Sequence, residues 1–382
     1  MKLTHILVCL AAAAGLAGCE TGGEPAASLP APAPATLKAA FQHDFLMGVA
    51  VNQRQFSDGD PRGEAIIKSQ FNSLTPENAL KWASLHPRPG QYDFAAADRY
   101  VAFGESNQMH LIGHTLVWHY QTPAWVFADE HGNPVSREVL LARLHEHIAT
   151  VVGRYKGRIQ AWDVVNEALA DDGTLRNSPW RKIIGDDYIE KAFQFAHEAD
   201  PGAQLNYNDY SLENPRKRQG AVALIQRIKA GGIPVNCVGL QDHVKLDWPD
   251  PDQLDLTIST FVALGVKVAI TELDVDVLPQ TQRRQGADVA QNAQSVAGAD
   301  VYAGGLPDAK QAELARRYAA LFHVYLKHRR DISRVTFWGV TDGDSWLNAA
   351  GKTNYPLLFD RAGRPKPAFQ AVLDEAKTAD AR

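Results

Sequence analysis

Between residues 45 and 342 the chain alternates short apolar runs, each ending in polar or acidic side chains, with longer stretches of helical periodicity. Parallel βα units produce this alternation, because a strand buried on both faces is almost continuously apolar and a helix must carry the chain back to the start of the next one. The β-prone runs cover 45–51, 71–78, 111–119, 159–167, 204–209, 237–243, 267–274 and 335–342. Eight of them suffice to close a (β/α)8 cylinder, so the fold expected is an α/β one, a single TIM barrel with enlarged βα loops.

The connecting helices are visible in the same way. Leu140, Leu144, Ile148, Val151 and Tyr155 recur at three- and four-residue steps ahead of Gly157, as do Leu314, Tyr318, Leu321 and Tyr325. Further helices are expected over 188–199, over 219–230 before Gly231-Gly232, and over 253–264 before Gly265, where a left-handed C-terminal cap favours glycine. The segment 278–307, rich in Gln, Gly and Ala, follows the seventh run and so belongs on the same face as the strand ends. It either shapes a cleft there or forms a loop.

The N-terminus has the marks of a processing segment: Lys2, an apolar run over 6–14 too short to span a bilayer, then small residues. Leu16-Ala17-Gly18-Cys19 resembles a bacterial lipobox, which implies cleavage before Cys19 and a lipid anchor on it. The alternative is an ordinary secretory signal with a chance cysteine. Glu20, rather than Asp, implies export to the outer membrane, facing either the periplasm or the exterior. Residues 19–38 read as a tether, because Pro30, Pro32 and Pro34 alternating with alanine cannot bury enough apolar surface to fold. The expected organisation is therefore 1–18 signal peptide, 19–38 lipidated tether, 39–377 barrel and 378–382 tail. Once Cys9 is removed and Cys19 is blocked, Cys237 has no disulfide partner, and the core must hold itself together. A net charge of −5 gives no basic excess for nucleic acid, and a monomer is expected.

Closing the cylinder brings the strand ends together whatever their separation in sequence. The second run contributes Glu77, Asn78 and Lys81; the third His114, Trp118 and His119; the fourth Asn166 and Glu167; the fifth Asn208; the sixth Gln241 and His243. The seventh adds Glu272 and Asp274, and the eighth Trp338 with Trp346 beyond it. Amides and carboxylates suit the hydroxyls of a sugar, while tryptophans suit its C–H faces. No glycine-rich phosphate loop is present. Two glutamates at the ends of buried strands could supply the protonated acid and the ionised carboxylate that a glycosidic bond requires.

These residues sit in Thr75-Pro76-Glu77-Asn78 leading to Lys81-Trp82, Gly113-His114-Thr115-Leu116-Val117-Trp118-His119, Trp162-Asp163-Val164-Val165-Asn166-Glu167 and Gly239-Leu240-Gln241-Asp242-His243. They continue in Ile270-Thr271-Glu272-Leu273-Asp274 and Trp338-Gly339-Val340 with Ser345-Trp346. In this order the motifs resemble those of family 10 glycoside hydrolases, the endo-β-1,4-xylanases, over about 41–373. Ala79-Leu80 departs from the bulkier pair usual there, which touches packing more than chemistry. The resemblance implies endo-acting hydrolysis of xylan or xylo-oligosaccharides without metal or cofactor, with Glu167 as acid/base and Glu272 as nucleophile. Anomeric configuration is retained if the two carboxyl groups lie about 5–5.5 Å apart. The charge of Glu272 is expected to raise the pKa of Glu167. It further implies that His243, between Glu272 and Asp274, keeps the nucleophile ionised, and that Asn166 holds the 2-hydroxyl. Glu77, Asn78, Lys81, His114, Trp118, Gln241, Trp338, Trp346 and Asn208 would line the sugar subsites.

Plainer readings exist for several of these residues. Lys81, four positions after Glu77, also fits an exposed helical ion pair worth about 0.2–0.5 kcal/mol. His114 and His119 could be core histidines or metal ligands, while His145 and His147 read as helix surface residues and Trp82, Trp125 and Trp180 as packing. A sugar-binding barrel without activity would lack one of the two glutamates. A metallohydrolase would lose activity to chelator, and a β-1,4-glucan remains an alternative substrate.

Overall fold

The computed structural model describes residues 36–279, 300–348 and 351–380. The expected leader, Cys19, the tether up to residue 35 and most of the 278–307 excursion lie outside the described residues.

Nine strands form among them: β1 Leu46–Val51, β2 Ser73–Pro76, β3 His110–Val117, β4 Ala161–Asn166, β5 Gln204–Asp209, β6 Cys237–Leu240, β7 His243–Lys245, β8 Lys267–Asp276 and β9 Ile332–Phe337. Strands β1 to β6 pair side by side in parallel, β6 continues to β8, β8 to β9, and β9 returns to β1. This closes a parallel eight-stranded barrel wrapped by helices, as expected. The strands read as unbroken apolar runs because both faces are covered: every residue of β2 and β4 is buried.

The exception is β7. The run expected over 237–243 stops at Leu240, because Asp242 takes a left-handed backbone (φ 55°) that no strand can continue through. The turn sends His243 out of the barrel ladder to pair with the extended end of β8, in the register His243↔Asp274. The last run is also displaced. Its ladder covers Ile332–Phe337, leaving Trp338 and Asp342 in the loop beyond.

Helix Arg137–Arg154 buries Leu140, Leu144, Ile148 and Val151 on one face, and the Ser136 side chain accepts from Val139 N at its start. Each such side chain contributes about 1.5–3 kcal/mol on burial. Helices Pro215–Ala230 and Pro251–Val262 begin at prolines after Asn214 and Asp250, whose side chains cap free backbone N–H groups. The expected glycine stops are present, with Gly157, Gly232 and Gly265 all at φ 71°.

The packed body reaches back to helix Leu37–Ala40, where Leu37 is fully buried, ahead of the expected start at 39. Helix Pro367–Asp380 carries it into the expected tail. Cys237 is buried and free. His147, read as a surface residue, is instead buried and stacked on Trp82 with ring centroids 3.6 Å apart. Its helix turns that position toward the barrel wall, and an imidazole is flat enough to fill the gap; His145 stays exposed.

Candidate active site

At the C-terminal ends of the barrel strands a cavity of about 230 Å³ opens. Glu77, Asn78, Lys81, His114, Trp118, Asn166, Glu167, Gln241, His243, Glu272, Trp338 and Trp346 line it, together with Gln121 and Asp344. Asn208 and Asp274 do not reach it. Both are buried behind the wall, so Asn208 stands apart from the residues expected to touch sugar.

Glu167 follows the last residue of β4 in a left-handed conformation (φ 58°), uncommon for a side chain of this kind and held by its N–H donating to Asn208 O at 2.8 Å. The turn delivers its carboxyl into the cavity. Oε2 accepts from Trp118 Nε1 at 3.0 Å, and Oε1 accepts from Gln241 Nε2 at 3.0 Å and Asn166 Nδ2 at 3.2 Å. Burial pushes its pKa up, with the charge of Asp209 and then that of Glu272 adding to the effect, while the bonds from Gln241 and Trp118 oppose it. Glu272 therefore acts in the expected direction but is a lesser cause than burial and Asp209.

Glu272 has the opposite balance. Burial would raise its pKa, yet the bond to His243, the charges of His114 and His243 and the bond from Asn208 bring it below the ordinary glutamate value. Oε1 accepts from Asn208 Nδ2 at 2.8 Å and Oε2 faces His243 Nε2 at 3.2 Å. On the far side of the ring, His243 Nδ1 lies 3.0 Å from Asp274 Oδ1, and Trp346 Nε1 donates to Asp274 Oδ2 at 2.8 Å. Burial disfavours the imidazolium, but these two carboxylates outweigh it and lift its pKa to about 10. The short β7–β8 ladder makes this ion pair, since it sets His243 directly beside Asp274.

The amides form a second layer. Asn208 Nδ2 donates to Asn166 Oδ1 as well as to Glu272, and Asn208 Oδ1 accepts from Thr271 Oγ1 at 2.7 Å. Gly239 makes room for this: a Cβ there would fall 2.2 Å from Asn208 Oδ1. Below the cavity floor, Asp163 Oδ2 pairs with His114 Nδ1 at 3.0 Å, while Oδ1 accepts from Asn206 Nδ2 at 3.1 Å near the Arg334 guanidinium at 3.5 Å. This buried charge is thus fully partnered, and it fixes the His114 ring against the cavity.

Lys81 is not on an exposed helix. It precedes the short helix Trp82–Leu85 in an extended conformation and is buried, with Nζ donating to Asn78 Oδ1 at 3.3 Å and lying 4.8 Å from the Trp118 ring centroid. Burial lowers its pKa, and Glu272, Glu167 and Glu77 work against that. Glu77 is pushed up to about 7 by burial and by the charge of Asp344. Trp82 and Trp180 are core packing, as expected, and Trp125 is half-buried beside them.

The model of glycosyl hydrolase family 10 matches residues 36–375. The chain belongs to this family. Among its relatives in glycosyl hydrolase family 10, endo-1,4-beta-xylanase A of Xylanibacter ruminicola is 44% identical over 341 residues, covering 88% of this chain and 92% of that protein. A beta-1,4-xylanase of Dictyoglomus thermophilum is 41% identical over 343 residues, covering 88% and 90%. The solved structure of a GH10 endoxylanase from a sugarcane soil metagenome is similar with a TM-score of 0.82 and 45% identity, covering 89% of this chain and 99% of that one.

Two cavity residues of this family 10 chain escaped the motif reading. Gln121, whose Nε2 donates to Asn78 Oδ1 at 3.1 Å, lies just past the third strand's motif. Asp344 sits immediately before Ser345-Trp346, fixed by Thr341 N at 3.0 Å and Thr341 Oγ1 at 2.7 Å. In both cases the available signal was adjacency to a motif, since neither stands at a strand end.

Proposed function

We propose that this protein hydrolyses internal β-1,4-xylosidic bonds of xylan and xylo-oligosaccharides with retention of anomeric configuration. The observation that carries the reading is the opposite treatment of two carboxyl groups in one cavity: Glu167 is biased toward its protonated form and Glu272 toward its ionised one. The relatives' activity as xylanases supports the substrate class.

Glu272 attacks the anomeric carbon while Glu167 gives its proton to the departing glycosidic oxygen, so the C–O bond breaks and a glycosyl ester on Glu272 forms. With the negative charge of Glu272 consumed, Glu167, now a carboxylate, takes a proton from water. That water attacks the anomeric carbon, the ester bond breaks and Glu272 is regenerated. His243, charged through Asp274 and Glu272, keeps the nucleophile ionised between turnovers. Asn166 lies one residue from the acid; its Nδ2 donates one hydrogen to Glu167 Oε1 and carries a second that can go to the sugar's 2-hydroxyl. Glu77, Asn78, Lys81, His114 and Gln241 offer polar partners to the hydroxyls, with Trp118, Trp338 and Trp346 as walls.

A β-1,4-glucan is the second reading. It is favoured by one relative, exoglucanase XynX of Acetivibrio thermocellus, 38% identical over 350 residues, although this chain spans only 29% of that protein. Proton NMR of xylohexaose and cello-oligosaccharide digests decides between them. Early β-anomeric products from the xylan series alone support the proposal; preferential cleavage of the glucan series refutes it.

The proposal extends to location. Leu16-Ala17-Gly18-Cys19 followed by Glu20 supports an exported protein anchored to the outer membrane through a lipid on Cys19. Incorporation of labelled palmitate that is lost in Cys19→Ser tests it.

A further inference from the structure

The turn that carries Glu167 rests on a buried charged array outside the cavity. Asp209, the last residue of β5, is fully buried. Its Oδ1 pairs with Lys217 Nζ at 2.8 Å and accepts from Tyr210 N at 2.9 Å, and its Oδ2 accepts from Tyr207 Oη at 2.5 Å and Leu169 N at 3.4 Å. One carboxylate thus ties the end of β5 to the chain just beyond Glu167 and to helix Pro215–Ala230, where Lys217 is itself fully buried.

Arg176 closes the other side. Its Nε donates to Glu167 O at 3.1 Å, and Nη2 donates to Leu169 O at 3.1 Å and Tyr210 Oη at 2.7 Å. Both carbonyls belong to the turn that the left-handed Glu167 begins. A buried ion pair is a costly way merely to stabilise a fold. Placed directly behind an acid, it sets the field in which that acid holds its proton.

We propose that Asp209 is a positioning residue for the acid: from behind the cavity it anchors the turn bearing Glu167 and supplies a negative charge that favours the protonated carboxyl, with Lys217 trimming that charge from the far side. The proposal rests on Glu167 being the acid/base. The charged groups that face Glu167 are Glu272 from β8, Lys81 from the loop after β2, Arg176 from the loop beyond β4 and Asp209 from β5. Those around Asp209 are Lys217, Arg176 and the hydroxyls of Tyr207, Tyr210 and Tyr188, with Asp171 3.9 Å from Lys217. Burial and the charge of Asp209 both push the Glu167 pKa up, in keeping with this arrangement.

The test is the pH profile of kcat/KM on xylohexaose for the full-length wild type, Asp209→Asn and Lys217→Met, each checked for a cooperative melt. The basic limb, which reports loss of the acid's proton, is expected to move to lower pH in D209N and to higher pH in K217M, while the acidic limb stays put. A move of one unit reads as about a tenfold change in kcat/KM beyond the limb. Limbs that move in the same direction in both variants, or a uniform fall in kcat with unmoved limbs, overturn the proposal. If D209N does not fold, K217M decides alone: a limb that moves down or does not move is a refutation. Failure of the acid assignment itself is read separately with an aryl xylobioside whose leaving group needs no proton. Glu167→Ala must cleave it far better than xylohexaose, whatever the limbs do.

Discussion

Asn208 Nδ2 lies 2.8 Å from Glu272 Oε1, so the proposed nucleophile is aimed by a side chain that never reaches the cavity. The same nitrogen donates to Asn166 Oδ1 at 2.8 Å, which links the ends of β4 and β5 to the middle of β8 through one amide. Asn208→Ala is expected to lower kcat by about 10- to 100-fold while KM changes little, because a misaimed reacting group costs rate rather than affinity. Steady-state kinetics on xylohexaose check this. A rise in KM at constant kcat would instead make Asn208 a sugar contact.

His243 couples charge to stability. Its pKa in the folded protein is about 10, above the ordinary value of 6.5. Its contribution is therefore full below 6.5 and is lost progressively as pH rises toward 10. The melting temperature is expected to decline over that window in the wild type and to decline less steeply in His243→Asn, with calorimetry from pH 6 to 10 as the measurement. Activity of the variant should fall across all pH values, since Glu272 then loses the partner on Oε2.

Burial, and after it the charge of Asp344, push the Glu77 pKa up to about 7. Below that pH it is neutral and can donate to a sugar hydroxyl; above it, it is a second carboxylate in the same corner. KM for xylohexaose is expected to rise as pH passes upward through 7, and Glu77→Gln should remove that dependence. A KM that stays flat with pH in the wild type contradicts this.

Acid sensitivity should come from histidines away from the cavity. Burial lowers the pKa of His110 to about 4, with Arg334 adding to it, and burial likewise depresses His147 and His86. These rings are neutral when folded, whereas the unfolded chain takes up protons below about 6.5. Stability should thus fall as pH drops from 6.5 toward 4. Neither ring nitrogen of His147 has a hydrogen-bond partner, so His147→Phe keeps the stack on Trp82 without that penalty. A larger gain in melting temperature at pH 5 than at pH 7.5 is expected.

The barrel was legible because its strands are buried on both faces, which leaves apolar runs that stop where the polar rim begins. Glu167 and Glu272 stood out for the same reason: a carboxylate ending such a run has no packing role. What escaped was set by backbone turns and by the second layer. Asp242 is of a type that tolerates the left-handed region better than most, but inside a motif of apolar and polar strand residues that weak signal did not place the turn that splits the sixth run and lays His243 beside Asp274. Asn208 sits at a strand end like its neighbours, and only the close approach permitted by Gly239 sends its amide behind the wall. Lys81 was legible as a cavity residue, and the plainer surface ion pair that its spacing from Glu77 also suits does not form, because 77–81 is a loop folded into the cavity rather than a helix.

The most direct measurement is mass spectrometry of the protein inactivated with a 2-deoxy-2-fluoro xylobioside carrying a good leaving group, which accumulates any glycosyl ester before water can release it. A stoichiometric glycosyl adduct on the peptide containing Glu272, absent from Glu272→Gln, is the expected result. An adduct on Glu167, or turnover of the reagent with no covalent species at any time, would contradict a double displacement through Glu272.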